Sequence, residues 1–216
     1  MLLANLFDPA VAVSEAVLPH RIGMLYPEER AAIAGAVYRR RLEFSTGRAC
    51  ARQAMDALGL PAAAIPVSAD RTPIWPEGIT GSISHSVTRC AAAVARHSDG
   101  ITAIGLDIEE TSPLEEVFAE EICTIREREW LAHRPAGERG LLLKVIFCAK
   151  ESAYKCQYPI TKSIFDFDVL RIELDLPEKR FSAYFEADVL PFRHGDRLDG
   201  RIRFFEDHIA AGAMLR

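Results

Sequence analysis

Residues 147–155 read Phe147-Cys148-Ala149-Lys150-Glu151-Ser152-Ala153-Tyr154-Lys155, three charges in a stretch that otherwise reads as a buried helix led in by Leu141, Leu142, Leu143, Val145 and Ile146. Charge in such surroundings is costly unless it is paired or faces a polar cleft. Glu151 and Lys155 are four apart and share a helical face, with Lys150 about 100° from Glu151. A carboxylate between two ammonium groups can hold a cation, move a proton and meet a phosphate. The same spacing also serves an ordinary surface ion pair.

A second acidic pair lies upstream, in Ile104-Gly105-Leu106-Asp107-Ile108-Glu109. Side chains alternate along a strand, so Asp107 and Glu109 share one face and Leu106 and Ile108 the other. Adjacent carboxylates repel unless a cation or bases compensate them, although a solvated strand edge carries the same pattern. Oxygen-only donors suit Mg²⁺ or Mn²⁺ rather than zinc. In Gly81-Ser82-Ile83-Ser84-His85-Ser86, hydroxyls and N–H groups after a glycine can receive a phosphate. Arg48 and Arg52, behind Arg39, Arg40 and Arg41, offer guanidinium forks for phosphates, or a solvated helix face. Together the four groups suit phosphoryl-type chemistry on a diphosphate, with a divalent cation across the phosphates and basic groups neutralising charge.

Other chemistries lack their marks. No G-x-S-x-G surrounds Ser84, and no G-x-x-x-x-G-K-[ST] loop is present. The five cysteines are odd in number and lack C-x-x-C spacing, which argues for reduced cytoplasmic thiols rather than disulfides or zinc. A net charge of -5 argues against a general nucleic-acid binder, while the clustered arginines point to an anionic ligand or an acidic partner. No apolar run reaches the ~18 residues of a membrane span. The apolar N-terminus carries Asp8 and no basic start, unlike a signal peptide.

The elements that must position these residues follow from local pattern. Residues 26–58 read as helical, starting at Pro27 with Glu28 and Glu29 behind it, and a second helix is expected from Glu43 to the break at Gly59 and Pro61. A loop or strand region covers 61–81. Short strands are expected over 82–86, 90–96 and 101–109, with Asp99-Gly100 as a hairpin turn between the last two. Helices over 124–133 and 140–157 precede strands over 168–174, 181–190, 201–205 and 209–216. The class is α+β with largely antiparallel strands and no evident repeat or linker.

The ordered set G-S-I-S-H-S, G-L-D-I-E and F-C-A-K-E-S-A-Y-K resembles the 4′-phosphopantetheinyl transferases, closest to the larger single-chain class that serves siderophore and other nonribosomal peptide or polyketide synthases. Arg39-Arg40-Arg41-Leu42-Glu43-Phe44, Gly47 through Arg52, and Pro73-Ile74-Trp75-Pro76 strengthen the similarity to the enterobactin-synthase-type branch. The resemblance covers residues 39–162.

It implies a monomer of two similar α+β halves related by a pseudo-two-fold, 1–103 and 104–216, with mainly antiparallel sheets, packed helices and coenzyme A in the cleft between them. The implied reaction moves phosphopantetheine from coenzyme A to a serine of an acyl, peptidyl or aryl carrier protein and releases adenosine 3′,5′-bisphosphate. Asp107, Glu109 and Glu151 resemble the Mg²⁺ ligands, and Glu151 also resembles the base for the carrier serine. Lys155, with Lys150 assisting, resembles the group that stabilises the pyrophosphate and leaving phosphate. Ser84 and His85 resemble phosphate contacts of coenzyme A, His85 at the 3′-phosphate, with Arg48, Arg52 and Arg71 sharing that charge. Glu127, with Glu129 as competitor, matches an acid near the metal. The run at 39–41 and the loop after Pro113 are candidate surfaces for the carrier. Two other readings use the same residues: a metal-dependent phosphohydrolase acting on coenzyme A or a nucleotide, and a non-catalytic coenzyme A or carrier-protein binding module.

Overall fold

The computed structural model describes residues 2–18 and 21–216. In chain order the elements are β1 (Ala12–Val17), α1 (Pro27–Arg30), α2 (Tyr38–Ala57), β2 (Ile79–His85), β3 (Arg89–Arg96), β4 (Ala103–Glu110), α3 (Ala119–Ile122), α4 (Ile125–Ala132), α5 (Ala136–Thr161), β5 (Leu170–Asp175), β6 (Arg180–Phe185), β7 (Arg197–Phe205) and β8 (His208–Leu215). They form two antiparallel sheets, ordered β1-β3-β2 and β4-β8-β7-β6-β5, which gives the α+β class expected.

Each sheet carries one long helix. Cys50, Ala51, Ala54 and Met55 of α2 pack on Cys90, Ala92 and Val94 of β3. Leu143, Val145, Ile146, Cys148 and Ala149 of α5 pack on β4 to β8. A third cluster joins the sheets: Ala91, Ala93 and Ala95, on the opposite face of β3, meet Leu106 and Ile108 of β4 and Leu2, Leu3 and Leu6 from the N-terminus. β3 is therefore buried on both faces, which is why its sequence is a run of small apolar residues rather than an alternation. Each fully buried aliphatic side chain contributes roughly 1.5–3 kcal/mol. All five cysteines are buried and unpaired, and burial pushes Cys50 to about 11 and Cys90 to about 12, so these are inert thiols.

Several boundaries move. The second helix starts at Tyr38, not Glu43, because a short 3₁₀ turn at Ala31–Ile33 ends the first helix and Val37 re-enters as an extended N-cap. α5 runs longer than 140–157 at both ends, β6 stops at Phe185 and β7 begins at Arg197. The Asp99-Gly100 hairpin is overturned. Gly100 does adopt a left-handed turn, but β3 pairs with β1 and β2 whereas β4 pairs with β8. The turn is the passage from one sheet to the other.

Candidate active site

The two sheets meet edge to edge, and the serines of the G-S-I-S-H-S segment make the joint. β2 is an edge strand of the first sheet and β4 an edge strand of the second. Ser82 Oγ accepts from the Leu106 N–H at 3.0 Å, and Ser84 Oγ accepts from the Ile108 N–H at 3.3 Å. Two hydroxyls thus satisfy amides that a buried strand edge would leave unpaired.

On the other side of β4, Gly105 lets α5 come in close. A Cβ there would stand 1.8 Å from the Ser152 carbonyl oxygen, and Ser152 Oγ donates to the Gly105 carbonyl at 3.1 Å. This contact sets Asp107 against Lys155. Lys155 Nζ donates to Asp107 Oδ1 at 2.6 Å and lies 3.3 Å from Ser84 Oγ, whose hydroxyl donates to the same Oδ1 at 2.9 Å. Asp107 Oδ2 is buried with no hydrogen-bond partner among the described residues. Lys144 Nζ holds Glu109 Oε2 at 3.1 Å. Burial raises the Glu109 carboxyl above its ordinary value, with Asp107 adding to the effect. Burial also raises Glu151; Lys155 opposes this while Asp107 and Glu109 reinforce it. For Lys155 burial works downward, but Asp107 and Glu151 outweigh it and hold the ammonium above its ordinary value.

The opposite wall comes from α2, seated on β2 at Gly47, where a Cβ would lie 2.8 Å from Ile83 Cγ2. The cleft between the walls has a volume of about 580 Å³ and is lined by Arg40, Glu43, Arg48, Arg71, Ser84, His85, Asp107 and Lys155. Arg48 is buried, donates to the Ile65 carbonyl at 2.8 Å and covers the Phe44 ring; burial lowers it to about 10, still charged at neutral pH. Arg40 Nη1 is 3.0 Å from His85 Nε2. An arginine only donates, so Nε2 accepts and the ring proton sits on Nδ1. Arg71 stands at φ +67 on a turn whose Asp70 accepts from Tyr158 Oη of α5 at 3.0 Å, tying the turn across the cleft. A second cavity of about 460 Å³ shares Arg71, Pro73, Ile83 and Lys155 with the cleft and continues past Trp75 and Tyr158. Glu151 instead opens on a cavity of about 450 Å³ with Tyr154 and Phe165.

Some expected site residues stand elsewhere. Lys150 Nζ donates to the Ile122 carbonyl, Glu127 Oε2 and the Phe167 carbonyl, each at 2.8 Å, which uses all three of its donors. Glu127 is equally committed: Oε2 also accepts from the Thr124 N–H at 2.6 Å, and Oε1 accepts from the Ile172 N–H at 2.6 Å. The pair is 1% and 2% exposed and pins α4 to α5 and β5, so neither reaches the cleft; Glu129 is exposed. Arg52 is turned back to the fully buried Glu29 at 2.8 Å and to the Met24 carbonyl at 2.9 Å, outside the cleft lining. Ser84 is buried and serves Ile108 and Asp107. Residues not singled out from sequence as site members are Glu43 and Lys144, and Arg40 is named there only within the 39–41 run. Arg40 is eight residues before Arg48, about 80° around the helix, which was the available signal.

Among the described residues no three Asp, Glu, His or Cys side chains already converge to hold an ion. The donors nevertheless fit a hard divalent cation. They are all oxygens, the buried Oδ2 of Asp107 lacks a hydrogen-bond partner among the described residues, and Asp107 is near enough to raise the carboxyls of both Glu109 and Glu151.

Comparison with known proteins identifies the family. A family model for the 4′-phosphopantetheinyl transferase N-terminal domain matches residues 28–95, and one for the 4′-phosphopantetheinyl transferase superfamily matches residues 103–211. The chain is 38% identical over 195 residues to 4′-phosphopantetheinyl transferase Svp of Streptomyces mobaraensis, covering 90% of this chain and 77% of that one. It is 34% identical over 166 residues to PptT of Mycobacterium tuberculosis, covering 76% and 71%. It is 32% identical over 152 residues to enterobactin synthase component D of Escherichia coli K12, covering 69% and 66%. No helix among the described residues is long and apolar enough to cross a membrane. The chain belongs to the 4′-phosphopantetheinyl transferase family, enzymes that transfer the phosphopantetheine group to carrier proteins.

Proposed function

We propose that this enzyme takes phosphopantetheine from coenzyme A and places it on a serine hydroxyl of an acyl, peptidyl or aryl carrier protein, releasing adenosine 3′,5′-bisphosphate. The observation that carries the reading is Asp107, paired with Lys155 through one oxygen and, among the described residues, without a hydrogen-bond partner at the other, in a cleft lined by Arg40, Arg48, Arg71 and His85. Residues 1–103 supply the wall that receives the nucleotide phosphates, and residues 104–216 the wall that carries the chemistry.

Asp107, Glu109 and Glu151 would hold Mg²⁺, or Mn²⁺ in its place, and such an ion supplies charge neutralisation on the diphosphate. Glu151 takes the proton of the carrier serine. The serine oxygen bonds to the phosphorus that bears the pantetheine, and the bond from that phosphorus to the bridging oxygen breaks. The leaving oxygen keeps the electron pair, and Lys155, charged at neutral pH, stabilises it. His85 and Arg40 meet the 3′-phosphate. The acceptor would be a carrier of a siderophore, peptide or polyketide synthase, met by a monomeric enzyme in the cytoplasm. Supplying coenzyme A, Mg²⁺ and a panel of apo carriers, then weighing each carrier, tests the reading. No carrier gaining one phosphopantetheinyl group sinks it.

A further inference from the structure

A carboxylate in the wall of an anion-binding cleft is unexpected, yet Glu43 stands there. Its side chain is 10% exposed, on the second turn of α2 and among the cleft-lining residues. Two guanidinium groups gather on it, Arg39 Nε at 3.0 Å from Oε1 and Arg40 Nη1 at 3.6 Å from Oε2, while His85 Nε2, 3.7 Å from the same Oε2, is reached through Arg40. Arg40 in turn bridges to His85 at 3.0 Å. The Arg40 side chain is 54% exposed and that of His85 37% exposed, and both lie on elements that end at the cleft mouth. A long arginine held in one rotamer forgoes side-chain entropy, so a free Arg40 would lose that entropy when an anion binds. With Glu43 beneath it the cost is met within the protein itself.

We infer that Glu43 is a specificity-determining positioning residue: it holds Arg40 and His85 as one preformed receptor for the terminal phosphate on the nucleotide's ribose, and so sets the preference for coenzyme A over its 3′-dephospho form. The inference rests on the reading that the 3′-phosphate meets His85 and Arg40. Glu43 touches no substrate. Its carboxylate also repels an anion, but Arg40, Arg48, Arg71 and Lys155 line the same cleft, so the local balance stays positive. A ligand that lacks the 3′-phosphate gains nothing from this arrangement, because Arg40 then remains satisfied by Glu43 and His85.

Steady-state kinetics with coenzyme A and with 3′-dephospho-coenzyme A as donors, on the intact enzyme and an apo carrier, test this in the wild type, Glu43→Gln and His85→Ala. Glu43→Gln should raise KM for coenzyme A about tenfold, the scale of one weakened ion pair at the receptor, and leave kcat and the KM for the dephospho donor within about twofold. A general loss of structure would move both donors together, so equal changes for the two overturn the inference, as does an unchanged or lower KM for coenzyme A. If His85→Ala separates the donors and Glu43→Gln does not, Glu43 has no such role while the 3′-phosphate reading stands. If His85→Ala fails to separate them, both fall. Should Glu43→Gln not fold, Glu43→Asp, which keeps the charge but withdraws it by one methylene, is read in the same way.

Discussion

Lys155 Nζ stands 2.6 Å from Oδ1 of Asp107, while Oδ2 of that carboxylate is buried with no hydrogen-bond partner among the described residues. One oxygen is committed to an ammonium and the other is kept away from water, an arrangement that costs stability unless something charged is to be received there. Asp107→Asn keeps the shape and an acceptor for Lys155 but puts an amide where Oδ2 was. It should lower kcat by about 100-fold or more, the scale of removing one stabilising electrostatic group. Its Tm should stay within roughly 4 °C of wild type, corresponding to ~1 kcal/mol or less. Mn²⁺ titration of the variant checks the metal role separately from turnover: affinity should drop with it.

Lys150 and Lys155 share a helix and a motif but differ in task, and substitution should separate them. Lys150→Met leaves Glu127 charged and buried, so stability should fall by about 3–5 kcal/mol in chemical denaturation. Adding Glu127→Gln removes that charge and should return part of the loss. Lys155→Met should instead reduce kcat with a much smaller change in stability. A Lys150→Met protein of unchanged stability and lost turnover would put Lys150 back at the phosphates.

The difference between the two lysines was partly legible. Five residues along a helix is about 140° of rotation, so Lys150 and Lys155 cannot face the same cleft. What the pattern cannot give is which of them faces it, because that depends on α4 and β5 arriving behind Lys150. Asp107, Lys155, His85 and Arg48 were readable because local motifs fix their spacing and two glycines fix the close approaches. The joining of β4 to β8 was not readable, since its partners lie about 100 residues apart and the local Asp99-Gly100 turn signal suits a hairpin equally well. Arg52 shares a face with Arg48 by spacing, yet it turns to Glu29, a residue read from sequence only as part of a helix start.

Gly105→Ala should be among the most damaging small substitutions in the chain. Its Cβ would meet backbone, the Ser152 carbonyl at 1.8 Å, which cannot rotate away. Overpacking of this kind costs about 1–3 kcal/mol or more, a Tm drop of roughly 4–10 °C. Displacing α5 also shifts Lys155 and Glu151 from Asp107, so turnover per folded molecule should fall as well. Gly137→Ala, in the first turn of α5 with nothing within 4 Å of the new Cβ, should leave activity intact and stabilise by about 0.5–1 kcal/mol. Thermal melts of the two variants make the comparison.

His85 should leave a mark on the pH dependence of stability. Burial, opposed by Glu43 and helped by Arg40, holds the ring below its ordinary value of 6.5. The unfolded chain then takes the proton first. The contribution of His85 to stability is therefore present above 6.5 and is lost as pH falls through the lower folded value. Melting curves from mildly alkaline to mildly acidic pH should show the wild type losing more stability than His85→Gln on the acid side. Parallel curves would mean the ring is not held neutral.

The reaction itself is tested most directly by the intact mass of an apo carrier protein after incubation with the enzyme, coenzyme A and Mg²⁺, with adenosine 3′,5′-bisphosphate measured in the same tube. The predicted result is a carrier heavier by one phosphopantetheinyl group, an equal amount of the bisphosphate, and neither product with Asp107→Asn. Bisphosphate released in the absence of any carrier, or a carrier of unchanged mass across acyl, peptidyl and aryl types, would contradict it.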